Sequence, residues 1–346
     1  MTQADTSTPG LQTIAIIGAG AWGTALANVA AQAGRTVLLW AREPEAAQAI
    51  NTIHENSLFL PGIPLNPAIE ATNDLARAAT ANALLLVVPA QHIRAVMTGL
   101  APSLSPGTPV VICAKGIEQK TNRLLSQILQ EVAPHIVPAV LSGPSFAADV
   151  AKGLPTAVTL ACADPAVADR LTQSLGLPTF RPYWTTDLIG AQIGGAVKNV
   201  LAIACGVVEG RRLGDSARAA ITTRGFAEIT RLGLALGARA ETLTGLSGLG
   251  DLILTCTSRQ SRNMSLGVAL GEGQTLDEIL AERKSVSEGI YTATAVRELG
   301  KRHHLDMPIA AAVAAIVTGE TTIDDAIQGL LTRPFTSETH PFARES

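Results

Sequence analysis

The segment Thr13-Ile14-Ala15-Ile16-Ile17-Gly18-Ala19-Gly20-Ala21-Trp22-Gly23 constrains this chain more than any other. A short, β-branched, continuously apolar run reads as a strand buried on both faces, as parallel strands are. It passes without a linker into three glycines, and then into a helical pattern over Thr24–Gln32. Gly18 permits the tight turn, Gly20 lets backbone approach a pyrophosphate, and Gly23 lets the helix pack closely on the strand. The amides and positive dipole end of that helix suit a dinucleotide's phosphates. The expected fold is α/β, an N-terminal Rossmann-type doubly wound sheet followed by an all-α substrate domain.

Further parallel strands are read at Arg35–Trp40, Ala83–Val88 and Pro109–Cys113, with helices at Ala68–Ala81 and His92–Leu100. The tip of the second strand normally faces the adenosine ribose, where an acidic residue would bind the 2′-hydroxyl of NAD. Here it reads Ala41-Arg42-Glu43. Arg42 can pair with a 2′-phosphate and leans towards NADP, while Glu43 keeps dual use open. Ligands gather beyond the carboxyl ends of such strands, which places Lys115 at the crevice. The strand Ala139–Leu141 runs into Ser142-Gly143-Pro144-Ser145-Phe146-Ala147, a turn able to offer backbone and hydroxyl contacts.

From about residue 190 the pattern changes to long helices rich in Ala, Gly and Leu, at Asp187–Gly206 and Ala217–Leu236, with a further helical stretch at Met264–Leu270. The expected division is a flexible tail over 1–12, a cofactor domain over 13–188, a helical catalytic domain over 189–335, and a second tail over 336–346. Lys198 sits in the first long helix among Ala196, Val197, Val200, Leu201, Ile203 and Ala204. A lysine so placed either snorkels to water or spends its charge on a partner or substrate. Burial lowers its pKa towards the range useful for proton transfer. Asp251, in the glycine-rich run Thr244–Leu252, reads as a helix cap or as a charge partner. Ser261-Arg262-Asn263 opens a helix and offers a hydroxyl cap, free amides and a guanidinium for a phosphate.

Composition bounds the rest. A chain of 346 residues is long enough for two cores. Aromatics at 3% and a net charge of −3 argue against nucleic-acid platforms or anionic membranes. Apolar runs such as Ile309–Val317 fall short of the roughly twenty residues that span a bilayer. Four scattered cysteines (Cys113, Cys162, Cys205, Cys256) show no metal spacing and suit a reducing cytoplasm.

GAGAWGTALA (18–27), NSLFLPGIPL (56–65), KGIE (115–118), SGPSFA (142–147), GGAVKNV (194–200), LGD (213–215), TRGFAEITRLG (223–233), GLGDLILTCTS (248–258), SRN (261–263) and EGIYTA (288–293) occur in that order. Together they closely resemble the bacterial-type NAD(P)-dependent sn-glycerol-3-phosphate dehydrogenases, over roughly residues 13 to 330. The resemblance implies reversible reduction of dihydroxyacetone phosphate with NADPH or NADH, without metal, in the cytoplasm, supplying glycerophospholipid synthesis. It implies Lys198 as general acid and base. Substrate contacts are implied at Lys115, Gly143, Ser145, Lys198, Asp251, Ser261, Arg262 and Asn263. Cofactor contacts are implied at Gly18, Gly20, Trp22, Gly23, Arg42, Lys115, Ala147, Arg262, Val286 and Glu288. Gln192 stands where many relatives carry glutamate, and could alter the charge near Lys198. The partner is a phosphorylated small molecule, with no nucleic acid and no membrane insertion, and the reading allows a homodimer through the helical domain. A ketopantoate-type reductase and a non-catalytic cofactor sensor are the rivals.

Overall fold

The computed structural model describes residues 11–283, 287–335 and 337–338. Its strands are β1 (Thr13–Ile17), β2 (Thr36–Trp40), β3 (Glu55–Asn56), β4 (Leu60–Pro64), β5 (Ile69–Thr72), β6 (Ala83–Leu86), β7 (Pro109–Ile112), β8 (Val137–Ser142), β9 (Thr156–Cys162) and β10 (Phe180–Thr185). The helices of the sheet region are α1 (Ala21–Gln32), α2 (Pro44–Ile53), α3 (Leu75–Ala78), α4 (Ile93–Leu100), α5 (Leu125–Val132), α6 (Ala147–Ala151) and α7 (Pro165–Leu175). Then follow α8 (Leu188–Gly210), α9 (Asp215–Ala235), α10 (Ala240–Thr244), α11 (Asp251–Thr257), α12 (Arg262–Gly271), α13 (Leu276–Glu282), α14 (Glu288–Arg302), α15 (Pro308–Val317) and α16 (Ile323–Leu331).

Eight strands form one sheet in the order β10-β9-β8-β7-β6-β1-β2-β5, parallel except where β9 meets β8. The chain runs from β1 outward to β2 and β5, then returns to place β6 on the other side of β1. This reversal opens a crevice between the ends of β1 and β6, the usual ligand position in such sheets. Glycine is required there. A Cβ on Gly23 would stand 1.8 Å from the Gly18 carbonyl oxygen, and one on Gly18 would meet the Val87 backbone at 3.1 Å. Ile14 and Ile16 belong to the apolar cluster on one face of the sheet, Ala15 and Ile17 to that on the other.

The helix expected over Ala68–Ala81 does not form. Ile69–Thr72 instead extends the sheet as β5, parallel to β2, and only Leu75–Ala78 is helical. The open edge of β2 supplies a ladder, and the Asn51 side chain both donates to the Ala71 carbonyl (2.9 Å) and accepts from its N–H (2.8 Å). Tertiary pairing overrides the alanine-rich helical pattern here. Leu11, assigned to the expected flexible tail over 1–12, is instead buried, and its N–H donates to Ser174 Oγ at 2.7 Å. Residues 1–10, 336 and 339–346 of the expected tails lie outside the described residues.

The helical part is built around α8, 23 residues long and packed on all sides by α9, α11, α12 and α14. Among the described residues it is the one helix long and apolar enough to cross a membrane, but nearly all of it is enclosed by protein. A helix apolar all round belongs in a core. Asp187 caps it, accepting from Gly190 N–H at 2.8 Å. Buried Glu228 of α9 caps α15 in the same way, accepting from the N–H groups of Ile309 and Ala310 at 2.8 and 3.0 Å. Helix α12 lies directly on α8. A Cβ on Gly206 would stand 2.2 Å from the Met264 carbonyl oxygen, and one on Gly267 would stand 2.1 Å from that of Ile203.

Backbone on both sides of that contact leaves no flexible side chain to move aside. Gly267→Ala therefore forces the two helices apart, at a cost on the order of 3 kcal/mol. Urea denaturation of the variant measures it; an unchanged midpoint would mean the helices are not in this contact.

Candidate active site

Three elements distant in sequence deliver their charges to one point. Lys198 projects from the middle of α8, Asp251 is the first residue of α11, and Lys115 follows β7 at the carboxyl end of the sheet. Lys198 Nζ donates to Asp251 Oδ1 at 2.6 Å and to Thr255 Oγ1 at 2.7 Å. Lys115 Nζ donates to the other carboxylate oxygen, Oδ2, at 2.7 Å and to the Gly143 carbonyl at 2.9 Å. Asp251 is only 1% exposed and Lys198 6%, so Lys198 does not snorkel to water. Burial, helped by the charge of Lys115, lowers the Lys198 pKa to about 8, while Asp251 opposes the fall.

The local folding behind this arrangement is specific. Residues Leu246–Gly250 form a π-helical turn ahead of α11, a local widening frequent at functional sites. Gly194 of α8 lets that turn come close: a Cβ there would stand 2.6 Å from the Ser247 carbonyl oxygen. Gly195, next along α8, leaves room for the Ser142 side chain at the end of β8. Asp251 is not the helix cap; Gly250 holds that position, which frees both carboxylate oxygens for the lysines.

Other expected residues fall around this centre. Asn199 does not reach Lys198; its side-chain N–H group donates to the Lys115 carbonyl at 3.2 Å and so steadies the Lys115 loop. Ser145 Oγ donates to the Gly143 carbonyl at 3.0 Å. Ser261 caps α12 by accepting from Met264 N–H at 3.2 Å, and Asn263 Oδ1 accepts from Gly289 N–H at 3.0 Å, tying α12 to α14. Arg262, between them, is exposed. The Gln192 side chain faces away from Lys198. It accepts from Ser126 N–H at 2.9 Å and donates to Ser126 Oγ and the Leu188 carbonyl, both at 2.9 Å, so it docks α5 on α8 and leaves the Lys198 charge alone.

The residues towards a dinucleotide fit one. Helix α1 begins at Gly20 without a side-chain cap, and the space a Cβ would take at Gly20 is open. Trp22 Nε1 beside it is buried without a hydrogen-bond partner. Across the crevice Glu288 accepts from Ala90 N–H at 3.0 Å through Oε1, while Oε2 is buried and unpartnered. Ala147 opens α6, which packs on α1, and Arg42 stands exposed just beyond β2. Val286 lies outside the described residues. Among the described residues no group of three or more His, Cys, Asp or Glu is placed to hold a metal ion.

Residues 13–168 match the family described as NAD-dependent glycerol-3-phosphate dehydrogenase N-terminus, and residues 187–328 match its C-terminus. The chain belongs to the NAD-dependent glycerol-3-phosphate dehydrogenase family. It is 68% identical to glycerol-3-phosphate dehydrogenase [NAD(P)+] of Parvibaculum lavamentivorans, over 94% of this chain and 98% of that one. It is similar to the crystal structure of glycerol-3-phosphate dehydrogenase from Coxiella burnetii, with TM-score 0.90 and 40% identity over 94% of this chain and all of that one. A ketopantoate reductase from Ralstonia eutropha, at 16% identity and TM-score 0.55 over 92% of this chain and all of that one, shares the fold alone. This chain is accordingly an NAD(P)-dependent oxidoreductase that reduces dihydroxyacetone phosphate to glycerol 3-phosphate.

Two supporting residues escaped the sequence reading. Thr255 stands one helical turn after Asp251 and therefore on the same face of α11, a spacing that could have found it. Asn56 is fully buried and donates to the Ala19 carbonyl (2.7 Å) and to Thr24 Oγ1 (2.8 Å), bracing the glycine turn from outside. No periodicity marks it.

The carboxylate of Asp251 is what holds the proton on Lys198 against burial. Asp251→Asn should move the Lys198 pKa below about 8, measured by NMR titration of the lysine Nζ signals. A value that stays at 8 or rises would show that Asp251 does not control that proton.

Proposed function

We infer that Lys198 is the group that gives and takes the proton at the C2 oxygen in the reduction of dihydroxyacetone phosphate. The observation that carries this reading is the single buried carboxylate of Asp251, shared by Lys198 and Lys115. NAD(P)H, when bound, supplies the hydride. As the ketone becomes an alkoxide, the Lys198 ammonium stabilises the developing negative charge and passes a proton to that oxygen. Lys198 is left neutral, and solvent restores its proton. In the reverse direction the neutral amine removes the hydroxyl proton. A pKa of about 8 keeps both forms accessible near neutrality. Thr255 and Asp251 hold the amine in place through either half of the cycle. Lys115 adds a second positive charge beside the reacting oxygen.

In this reading Arg262 and the amides at the start of α12 hold the substrate phosphate, with Ser261 and Asn263 fixing the helix start. Gly143 and Ser145 line the same site. Binding energy from the phosphate then serves to orient C2. Gly18, Gly20, Trp22, Gly23, Arg42, Ala147 and Glu288 would hold the cofactor, with Val286 as a further contact. The assignment puts the cofactor domain at 13–188 and the helical domain at 189–335. The same reading takes the enzyme as cytoplasmic, supplying the glycerophospholipid backbone, and as a homodimer joined through its helical part.

Lys198→Ala should lower kcat by at least about a hundredfold, with NADH binding by calorimetry retained; near-normal turnover would remove Lys198 from the proton transfer. In the intact enzyme kcat for reduction should fall as pH rises through about 8, because reduction needs the protonated amine. Oxidation of glycerol 3-phosphate should rise over the same range. Profiles that run together in both directions would contradict the assignment. Arg262→Ala should raise KM for dihydroxyacetone phosphate by at least about tenfold, and an unchanged KM would rule out the phosphate clamp.

A further inference from the structure

Lys115 stands in a stretch that no strand or helix holds. Between the end of β7 at Ile112 and the start of α5 at Leu125 there is no regular ladder, and Ile117 and Leu124 form an isolated antiparallel bridge. On one side the Lys115 carbonyl accepts from Asn199 at 3.2 Å. On the other, Gln91 Nε2 donates to the Ile117 carbonyl at 2.8 Å, and Gln91 Oε1 accepts from Gln119 N–H at 3.0 Å. One amide thus brackets Glu118, giving its two neighbours the donor and the acceptor that an adjacent strand would supply. Ile117 is fully buried, and a buried carbonyl left unpaired is costly.

The bracket has a firm base. Gln91 lies in a single 3-10 turn, Ala90–His92, between β6 and α4. In the same turn Ala90 N–H donates to Glu288 of α14 at 3.0 Å. The turn presses on the Lys115 loop: a Cβ on Gly116 would stand 2.7 Å from the Ala90 Cβ. Arg94, three residues after Gln91, donates to both carboxylate oxygens of Glu118 at 2.8 Å. Arg94 grips a side chain, whereas Gln91 grips the backbone two residues from Lys115. We propose that Gln91 is a positioning residue for the reaction: its amide fixes the backbone that carries the Lys115 ammonium to Asp251.

The consequence reaches Lys198 through the shared carboxylate. Among the described residues the charged and titratable groups acting on Lys198 are Asp251 and Cys256 of α11 and Lys115. Burial is the main cause of the lowered Lys198 pKa; Asp251 opposes it and the like charge of Lys115 adds to it. A displaced Lys115 removes that like charge and leaves Asp251 to Lys198 alone, so Lys198 keeps its proton to higher pH. This rests on the reading of Lys198 as the proton donor.

The test follows kcat for dihydroxyacetone phosphate reduction against pH in the full-length enzyme. Gln91→Met keeps the bulk of the side chain without its hydrogen bonds. It should lower kcat about five- to twentyfold, the range expected for two lost hydrogen bonds, and move the alkaline fall in kcat to higher pH. Gln91→Asn, whose shorter side chain cannot reach both groups, should give the same shift and serves if Gln91→Met disturbs the fold. Lys115→Gln should move the fall in the same direction, and the double variant should match Lys115→Gln alone, because Gln91 acts through Lys115. A midpoint that stays in place in the Gln91 variants while Lys115→Gln moves it overturns the proposal, whatever happens to kcat. So does a double variant whose shift is the sum of the two. If Lys115→Gln leaves the midpoint in place, the coupling of Lys115 to the Lys198 proton fails, and the proposal with it. A wild-type enzyme with no alkaline fall would sink the Lys198 reading first.

Discussion

One buried carboxylate organises this protein. Asp251 accepts from Lys198 with one oxygen and from Lys115 with the other, at 2.6 and 2.7 Å. Two ammonium groups this close would repel one another without it. The carboxylate in turn would be prohibitively costly at 1% exposure without them. Lys115 belongs to the sheet and Lys198 and Asp251 to the helices, so the same contact that assembles the chemistry also joins the two parts of the fold. Arg94 and Glu118 form a second, more exposed ion pair, bidentate at 2.8 Å and confined to the sheet region, so it does not join the two parts.

The position of α12 follows from a second constraint, the bare backbone contact at Gly206 and Gly267. With α12 pressed onto α8, its N-terminus and Arg262 stay with the helix that carries Lys198. In the proposed assignment, phosphate recognition and proton transfer would share one core element, which suits a reaction that depends on orientation. The tip of β2 is the contrast. There the Arg42 side chain is 78% accessible and that of Glu43 28%, so side chains exchange partners at less cost than around Asp251.

Some of this was legible along the chain. The apolar run into Gly18, Gly20 and Gly23 has one structural solution, and β1 and the turn into α1 formed as that pattern requires. Lys198 stood out because a charge amid continuous apolar helix demands a partner. Other features were not legible, for reasons that are local and physical. Ile69–Thr72 has alanine-rich helical surroundings and became a strand only because β2 offered an unfilled edge. Gln192 looked close to Lys198 in sequence, yet the two side chains leave α8 in different directions, and Gln192 serves Ser126 instead. Asn199, next to Lys198 in sequence, likewise turns elsewhere and holds the Lys115 loop.

By itself the sequence determined which residues could do chemistry and the type of layer each belongs to, because periodicity, glycine spacing and helix capping are read over a few residues. It determined the strand–glycine–helix cofactor turn and the motifs that mark the family. Only the tertiary structure decided that Lys115, Lys198 and Asp251 meet, that Thr255 completes the set, and that Lys198 is held at a pKa of about 8. Those outcomes depend on distances between segments more than fifty positions apart and on the exclusion of water around them. No local pattern encodes either.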